Sequence, residues 1–163
     1  MVIKECQPTV AVWNSATSWF NQLPLEIWIH QLLERHRDNG HRSIVRLRAH
    51  RLMMAQRRYR LYLDYYPGGD LHDLTRHIFL APNQATKQQN WLPEAFMWYI
   101  FKCLVDGLQV LNQGNLNFPT AGWRPIHHMD IRPSNIFIDI DPDRKVNRQK
   151  VSLFADHTPW HVY

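Results

Sequence analysis

Residues 93–113 carry an unbroken apolar stripe: Phe96, Tyr99, Ile100, Cys103, Leu104, Gly107, Leu108 and Leu111. The spacing is that of one face of a single long helix. Pro93 and Glu94 suit its first turn, and Gly114 suits its end. No other element is defined so sharply, so the rest of the chain must be fitted around this one.

Upstream, Val2-Ile3-Lys4 reads as a short strand and residues 14–21 as a polar stretch. Leu25, Trp28, Ile29 and Leu32 lie at i, i+3, i+4 and i+7, which predicts an amphipathic helix. Pro24 suits its first turn, and the helix should end before the turn pair Asn39-Gly40. Residues 43–54 and 59–66 read as two strands joined by a basic turn at 55–58. In the second, Leu61, Leu63 and Tyr65 alternate with Arg60, Tyr62 and Asp64. Pro67-Gly68-Gly69 breaks that strand.

Residues 70–78 read as a short helix, and 82–90 and 115–125 as loops. Ile136-Phe137-Ile138 reads as a short strand. Residues 139–150 read as a surface hairpin with its return strand at 151–154. Strands in a run, followed by helices, predict an α+β fold rather than a doubly wound sheet. No linker divides the chain.

The class follows from a few counts. The chain has 163 residues, 45% of them hydrophobic, enough for a core. Seven Trp, seven Phe and six Tyr argue against disorder. A net charge of +5 permits an acidic partner without requiring one. Two separated cysteines, Cys6 and Cys103, make neither a disulfide framework nor a zinc pattern. The first residues lack the apolar core of a signal peptide, and no apolar run approaches the length of a membrane span. The expectation is a soluble, membrane-free protein of the cytoplasm or nucleus.

The chemistry-bearing segment is His127-His128-Met129-Asp130-Ile131-Arg132-Pro133-Ser134-Asn135-Ile136-Phe137-Ile138. It sets an Asp and an Asn five residues apart on a loop, with an Arg between them and an apolar strand after. An Asp can accept a proton, an Asn oxygen can ligate Mg²⁺, and an Arg can bind phosphate oxygens.

This segment resembles the catalytic loop of protein kinases, His-Arg-Asp followed four residues later by Asn. Its Pro-Ser-Asn-Ile-Phe-Ile continuation resembles the serine/threonine branch, and the NimA-related and fungal-type kinases within it. The resemblance extends upstream. Leu61-Tyr62-Leu63-Asp64-Tyr65-Tyr66-Pro67-Gly68-Gly69-Asp70-Leu71 is similar to the last N-lobe strand, the hinge and the start of the next helix. Met1-Val2-Ile3-Lys4 resembles the Val-Ala-Ile-Lys of the strand that carries the ATP-binding lysine.

The resemblance implies a set of roles. Asp130 takes the proton of the substrate hydroxyl, and Arg132 stands against the transferred phosphate where the branch usually has Lys. Asn135 and Asp156 hold Mg²⁺. Lys4 pairs the ATP α/β-phosphates, with Glu26 as its helical partner. Leu63 is the gatekeeper, the backbone from Asp64 to Tyr66 meets adenine, and Asp70 reaches the ribose. The implied fold is a partial bilobal kinase-like domain over residues 1–163. A partial N-lobe with hinge occupies 1–66, and a partial C-lobe occupies 67–163. It would hold part of the N-lobe sheet, the helices the family calls C, D and E, and the catalytic loop. The implied partners are ATP, Mg²⁺ and a protein substrate, with nucleic acid disfavoured. The alternative is a non-catalytic, pseudokinase-like interaction module.

Departures from the family pattern bear on activity. The glycine-rich loop that precedes the lysine strand is not represented. Met129 replaces the arginine that normally pairs with a phosphorylated activation loop. His157-Thr158 follows Asp156 where the family has Phe-Gly. Blander readings stay open beside the functional ones. Lys4 and Glu26 could be surface charges, and Asp70 could cap the next helix. Nine arginines between residues 35 and 60 read as solvated strand faces before they read as a nucleic-acid patch. His157 and His161 have helical spacing, but nothing completes a zinc site. One face of the long helix is expected to remain uncovered and to limit solubility.

Overall fold

A computed structural model describes residues 1–37, 43–80, 91–139, 150–153 and 161–162. The elements run β1 (Val2–Cys6), α1 (Val10–Asn14), β2 (Trp19–Phe20), β3 (Leu23–Pro24), α2 (Leu25–Arg35), β4 (Leu47–Met53) and β5 (Arg58–Leu63). They continue with α3 (Leu71–Leu80), α4 (Glu94–Gln113), β6 (Ile126–His127), β7 (Ile136–Asp139), β8 (Lys150–Leu153) and β9 (His161–Val162). The fold class is α+β. The turn expected at Asn39-Gly40, the loop expected at 82–90, the tip of the hairpin expected at 139–150 and Asp156 lie outside the described residues.

The main sheet is antiparallel, in the order β1-β5-β4. β5 alternates as its sequence requires: Tyr59, Leu61 and Leu63 are buried, while Arg58, Tyr62 and Arg60 are not. Register places Val2, Lys4 and Cys6 of β1 opposite Leu63, Leu61 and Tyr59. Side chains directly opposite share a face, so Lys4 and Cys6 point to the side where Tyr59 and Leu61 are buried. The strand ends at Leu63, so Tyr65 is exposed rather than a continuation of the apolar face.

The stretch at 14–21 is more structured than its polarity predicts. Thr9 accepts a hydrogen bond from the Val12 N–H at 3.3 Å and opens the short helix α1. β2 and β3 pair through a two-residue turn in which Asn21 and Gln22 both have positive φ, 48° and 63°. That is the turn whose twist suits a hairpin. Pro24 therefore closes β3 and sits just before α2 instead of inside its first turn.

Three apolar clusters make the core. Ile27 of α2 joins Trp13, Val45, Leu47, Tyr59, Leu61 and Leu63 against the sheet. Ile29 and Leu33 of the same helix join Val110, Leu111, Ile44 and Ile126 against the end of α4. Ile100 and Cys103 of α4 meet Ile136 of β7. The expected stripe on α2 does face α4, but the helix carries a second buried face toward the sheet. On α4 the expected stripe needs one correction. Leu108 is exposed and Val110 is buried, because the packing line drifts around the helix toward α2.

The outer face of α4 is apolar and open: Trp98 is 63% exposed and Phe101 58%, with Met97, Val105 and Leu108 alongside. Among the described residues no helix is long and apolar enough to cross a membrane. Cys6 and Cys103 are both free thiols.

Gly114 ends α4 at φ +81°, and a Cβ there would lie 2.6 Å from the Trp123 indole. That ring cannot yield easily, since Trp123 Nε1 donates to the Leu111 carbonyl at 3.0 Å. Gly114→Ala is expected to destabilise the fold by about 2 kcal/mol or more, combining left-handed strain with the clash. A urea denaturation midpoint unchanged from the parent would contradict this. The open stripe predicts self-association at high concentration. Light scattering should show Phe101→Glu to be more monodisperse than the parent chain.

Candidate functional site

Lys4 and Glu26, 22 residues apart, meet in a nearly buried ion pair. The Lys4 Nζ donates to Glu26 Oε1 at 2.7 Å, and both side chains are about 12% exposed. Isolated charges at this depth would be costly, so the pair must be hydrogen-bonded to persist. Glu26 is well supplied. Its Oε2 accepts from Tyr59 Oη at 2.6 Å, and Cys6 Sγ approaches the same oxygen at 3.6 Å. Burial by itself would raise the Glu26 pKa. The Lys4 charge, the attraction of His30 and the hydrogen bonds from Lys4 and Tyr59 outweigh it and hold the carboxyl below its ordinary value. Burial, and then Glu26, push the Cys6 thiol up to about 12 and raise the Tyr59 phenol in the same way. Both groups are therefore neutral donors at neutral pH.

Lys4 also lines a cavity of about 230 Å³. Val2, Val45 and Leu63 give it apolar walls, and Phe137 of β7 closes another side. Asp64, Tyr65, Tyr66, Gly69, Asp70 and Asp73 complete the lining. The segment at 64–66 is fixed on the outside by Arg48, whose guanidinium forks onto the Asp64 carboxylate, with Nη2 at 3.0 Å from Oδ2. The Asp64 N–H donates to the Arg46 carbonyl at 3.1 Å. Asp70 does cap α3: its Oδ1 accepts from the Asp73 N–H at 2.8 Å. Asp70 also lines the cavity.

The second group of expected residues lies on the loop entering β7. Asn135 is buried, and its Nδ2 donates to the Asp130 carbonyl at 2.9 Å and to Asp130 Oδ2 at 2.8 Å. Arg132 Nε lies 3.3 Å from the same Oδ2. Oδ1 of Asp130 makes no hydrogen bond among the described residues. Asn135 Oδ1 is buried and also without a hydrogen-bond partner among them. A buried acceptor of this kind is usually satisfied by protein, by ordered water or by an ion. Met129, just before Asp130, is held at φ +58°, a conformation that costs a non-glycine residue on the order of 1 kcal/mol.

Asp130, Arg132 and Asn135 do not line the cavity themselves. They are tied to it through backbone: Gly68 N–H donates to the Ile138 carbonyl at 3.0 Å, and Ile138 N–H to the Gly69 carbonyl at 2.9 Å. Tyr66 stacks on Phe137 with ring centroids 6.0 Å apart. The loop that carries Asp130 and Asn135 is thus docked on the turn that follows residues 64–66.

Asp156 lies outside the described residues, as does His157; His161 is described by backbone alone. Asp70, His72 and Asp73 bring ligand-type atoms within 4.8 Å of one another at the exposed start of α3, as acidic turns commonly do. The arginine-rich region is largely paired. Arg58 and Arg60 meet Glu5, Arg37 and Arg46 meet Glu34, and Arg48 meets Asp64. Tyr59 is the functional neighbour that the sequence did not single out. Its signal was present only as a phenol on the buried face of β5, in register with Cys6.

No family model matches the chain, and no curated protein matches it in sequence.

Burial also drives His30, one turn after Glu26 on α2, down to about 4, against the attraction of Glu26. The unfolded chain takes up this proton between pH 6.5 and 4, and the folded chain does not. Its contribution to stability is therefore complete above pH 6.5 and lost as pH falls toward 4, by roughly 3 kcal/mol. Glu26 acts in the same sense lower down: its stabilisation is present above its ordinary value of 4.5 and fades below it. Urea midpoints should fall between pH 7 and pH 4.5, and His30→Gln should flatten that fall. A parent profile that is level across this range would contradict the assignment.

Proposed function

We propose that the chain is a protein kinase-like unit of the serine/threonine type that binds Mg²⁺-ATP between its sheet and the β7 segment. On this reading residues 1–66 are N-lobe and hinge, and residues 67–163 are C-lobe. The observation that carries the proposal is the double engagement of Lys4. It lines the cavity and at the same time pairs with Glu26, as a phosphate-binding lysine held by a helical glutamate would.

The chemistry follows from the lining. The backbone of residues 64–66 offers donors and acceptors to an adenine edge, and Val2, Val45 and Leu63 offer it apolar surface. Leu63 limits the depth of the site, and Asp70 presents a carboxylate at the ribose end. Lys4 brings a positive charge to the phosphates, and Glu26 keeps that ammonium from wandering. Asp130 keeps one carboxylate oxygen tied to Asn135 and Arg132, and the other is available to accept a hydroxyl proton. Arg132 supplies charge beside the transferred group. Asn135, through its orphaned Oδ1, and Asp156 would hold Mg²⁺. That ion would neutralise charge on the phosphate oxygens.

The sequence departures favour a second reading, in which nucleotide binding has outlived catalysis. Met129 stands in place of the arginine, and His157-Thr158 in place of Phe-Gly. Efficient transfer depends on several separated parts acting together. The isolated chain is accordingly expected to bind with little or no transfer.

Calorimetric titration with Mg²⁺-ATP tests the proposal. The parent chain should bind, and Lys4→Met should weaken binding about tenfold or more, the worth of one charge-assisted phosphate contact. Asp130→Asn should leave affinity within about twofold, because it acts on the hydroxyl and not on the nucleotide. Absence of binding by a folded parent chain would sink the nucleotide reading. Binding with transfer that Asp130→Asn abolishes would favour an active kinase over the binding module.

A further inference from the structure

We infer that Tyr59 is a positioning residue for the Lys4–Glu26 pair, holding the Glu26 carboxylate in place while Lys4 engages phosphate. The inference rests on the nucleotide reading for its consequence, but the geometry stands independently of it. Glu26 is gripped at both oxygens from two adjacent strands. Lys4 of β1 takes Oε1 at 2.7 Å, and Tyr59 of β5 takes Oε2 at 2.6 Å. Cys6, two residues beyond Lys4 and paired in register with Tyr59, closes on Oε2 at 3.6 Å.

The need for a second donor follows from what Lys4 has to do. A lysine shared between a buried carboxylate and a phosphate gives each less than a full interaction. A buried carboxylate left half-compensated would protonate or swing toward water. Either change would release α2 from the sheet. Tyr59 prevents this because its backbone is fixed in the sheet by pairing with both β1 and β4. Its ring is buried with Leu61, Leu63 and Ile27, and its hydroxyl is a neutral donor to a charged acceptor. His30 of α2, the other titratable group close to Glu26, is neutral at physiological pH and cannot take over the role.

Tyr59→Phe removes the hydroxyl and keeps the ring in the core. Carboxyl-carbon NMR should follow Glu26 from pH 7 to pH 4.5. The parent signal should remain that of a carboxylate, and the Tyr59→Phe signal should move toward the protonated form within this range. In parallel, Mg²⁺-ATP affinity at pH 7 should fall about three- to tenfold, the worth of one hydrogen bond. The loss should grow as pH falls, and Tyr59→Phe should have no further effect on affinity in a Glu26→Gln background. Should Tyr59→Phe fail to fold, 3-fluorotyrosine at position 59 keeps the shape and strengthens the donor; with the titration carried below pH 4.5, until the parent Glu26 itself protonates, it should move the Glu26 midpoint down. Superimposable Glu26 titrations in the parent and the altered chain would overturn the inference. So would equal nucleotide affinities despite normal binding by the parent. A parent chain that binds no nucleotide defeats the nucleotide reading by itself, and the Glu26 titration still decides whether Tyr59 holds the carboxylate.

Discussion

A carboxylate with as little contact with water as Glu26 has can exist only where the fold brings charge and donors to it. Lys4, Tyr59 and Cys6 come from two strands that must already be paired in the right register to meet it. A slip of one residue in β1 would turn Lys4 to the opposite face and leave Glu26 buried without its cation. The ion pair therefore reports on the whole arrangement of β1, β5 and α2. It contributes less to net stability than to selecting one docking of the helix over others, since buried pairs repay little beyond their desolvation.

That docking in turn sets the rest. α2 is covered on two sides, by the sheet through Ile27 and by the end of α4 through Ile29 and Leu33. Few surface helices are buried in this way. Glu26 therefore sits on the same helix that packs against Val110 and Leu111 of α4, and no α4 residue is among those that line the cavity. α4 then continues to Ile100 and Cys103, which seat β7 through Ile136. Three separate apolar clusters, linked because α2 and α4 each contribute to two of them, lead from the sheet to the strand after Asn135.

The same strand closes the circuit by a second route. Backbone hydrogen bonds between residues 68–69 and Ile138 lock the turn after the cavity to the loop that bears Asp130. Two groups of polar residues far apart in sequence are thereby linked through backbone hydrogen bonds. Backbone pairing suits this purpose, because it does not depend on ionisation or on rotamer choice.

The sequence by itself determined the elements whose pattern is local. The alternation in β5, the length of α4 and its stop at Gly114 follow from period and from backbone chemistry. The cap that Asp70 supplies to α3 was legible too. Tertiary structure decided the rest. It turned a polar-looking segment at 14–21 into a hairpin, since positive φ at Asn21 and Gln22 is affordable only when flanking strands pair. It exposed Leu108 and buried Val110, because α4 meets α2 at its end and β7 near its middle. It also chose Tyr59, 33 residues from Glu26, as the second holder of the carboxylate. Periodicity records which face of an element is buried. It cannot record which distant side chain arrives there, because that depends on the register and docking of elements that the chain joins only after folding.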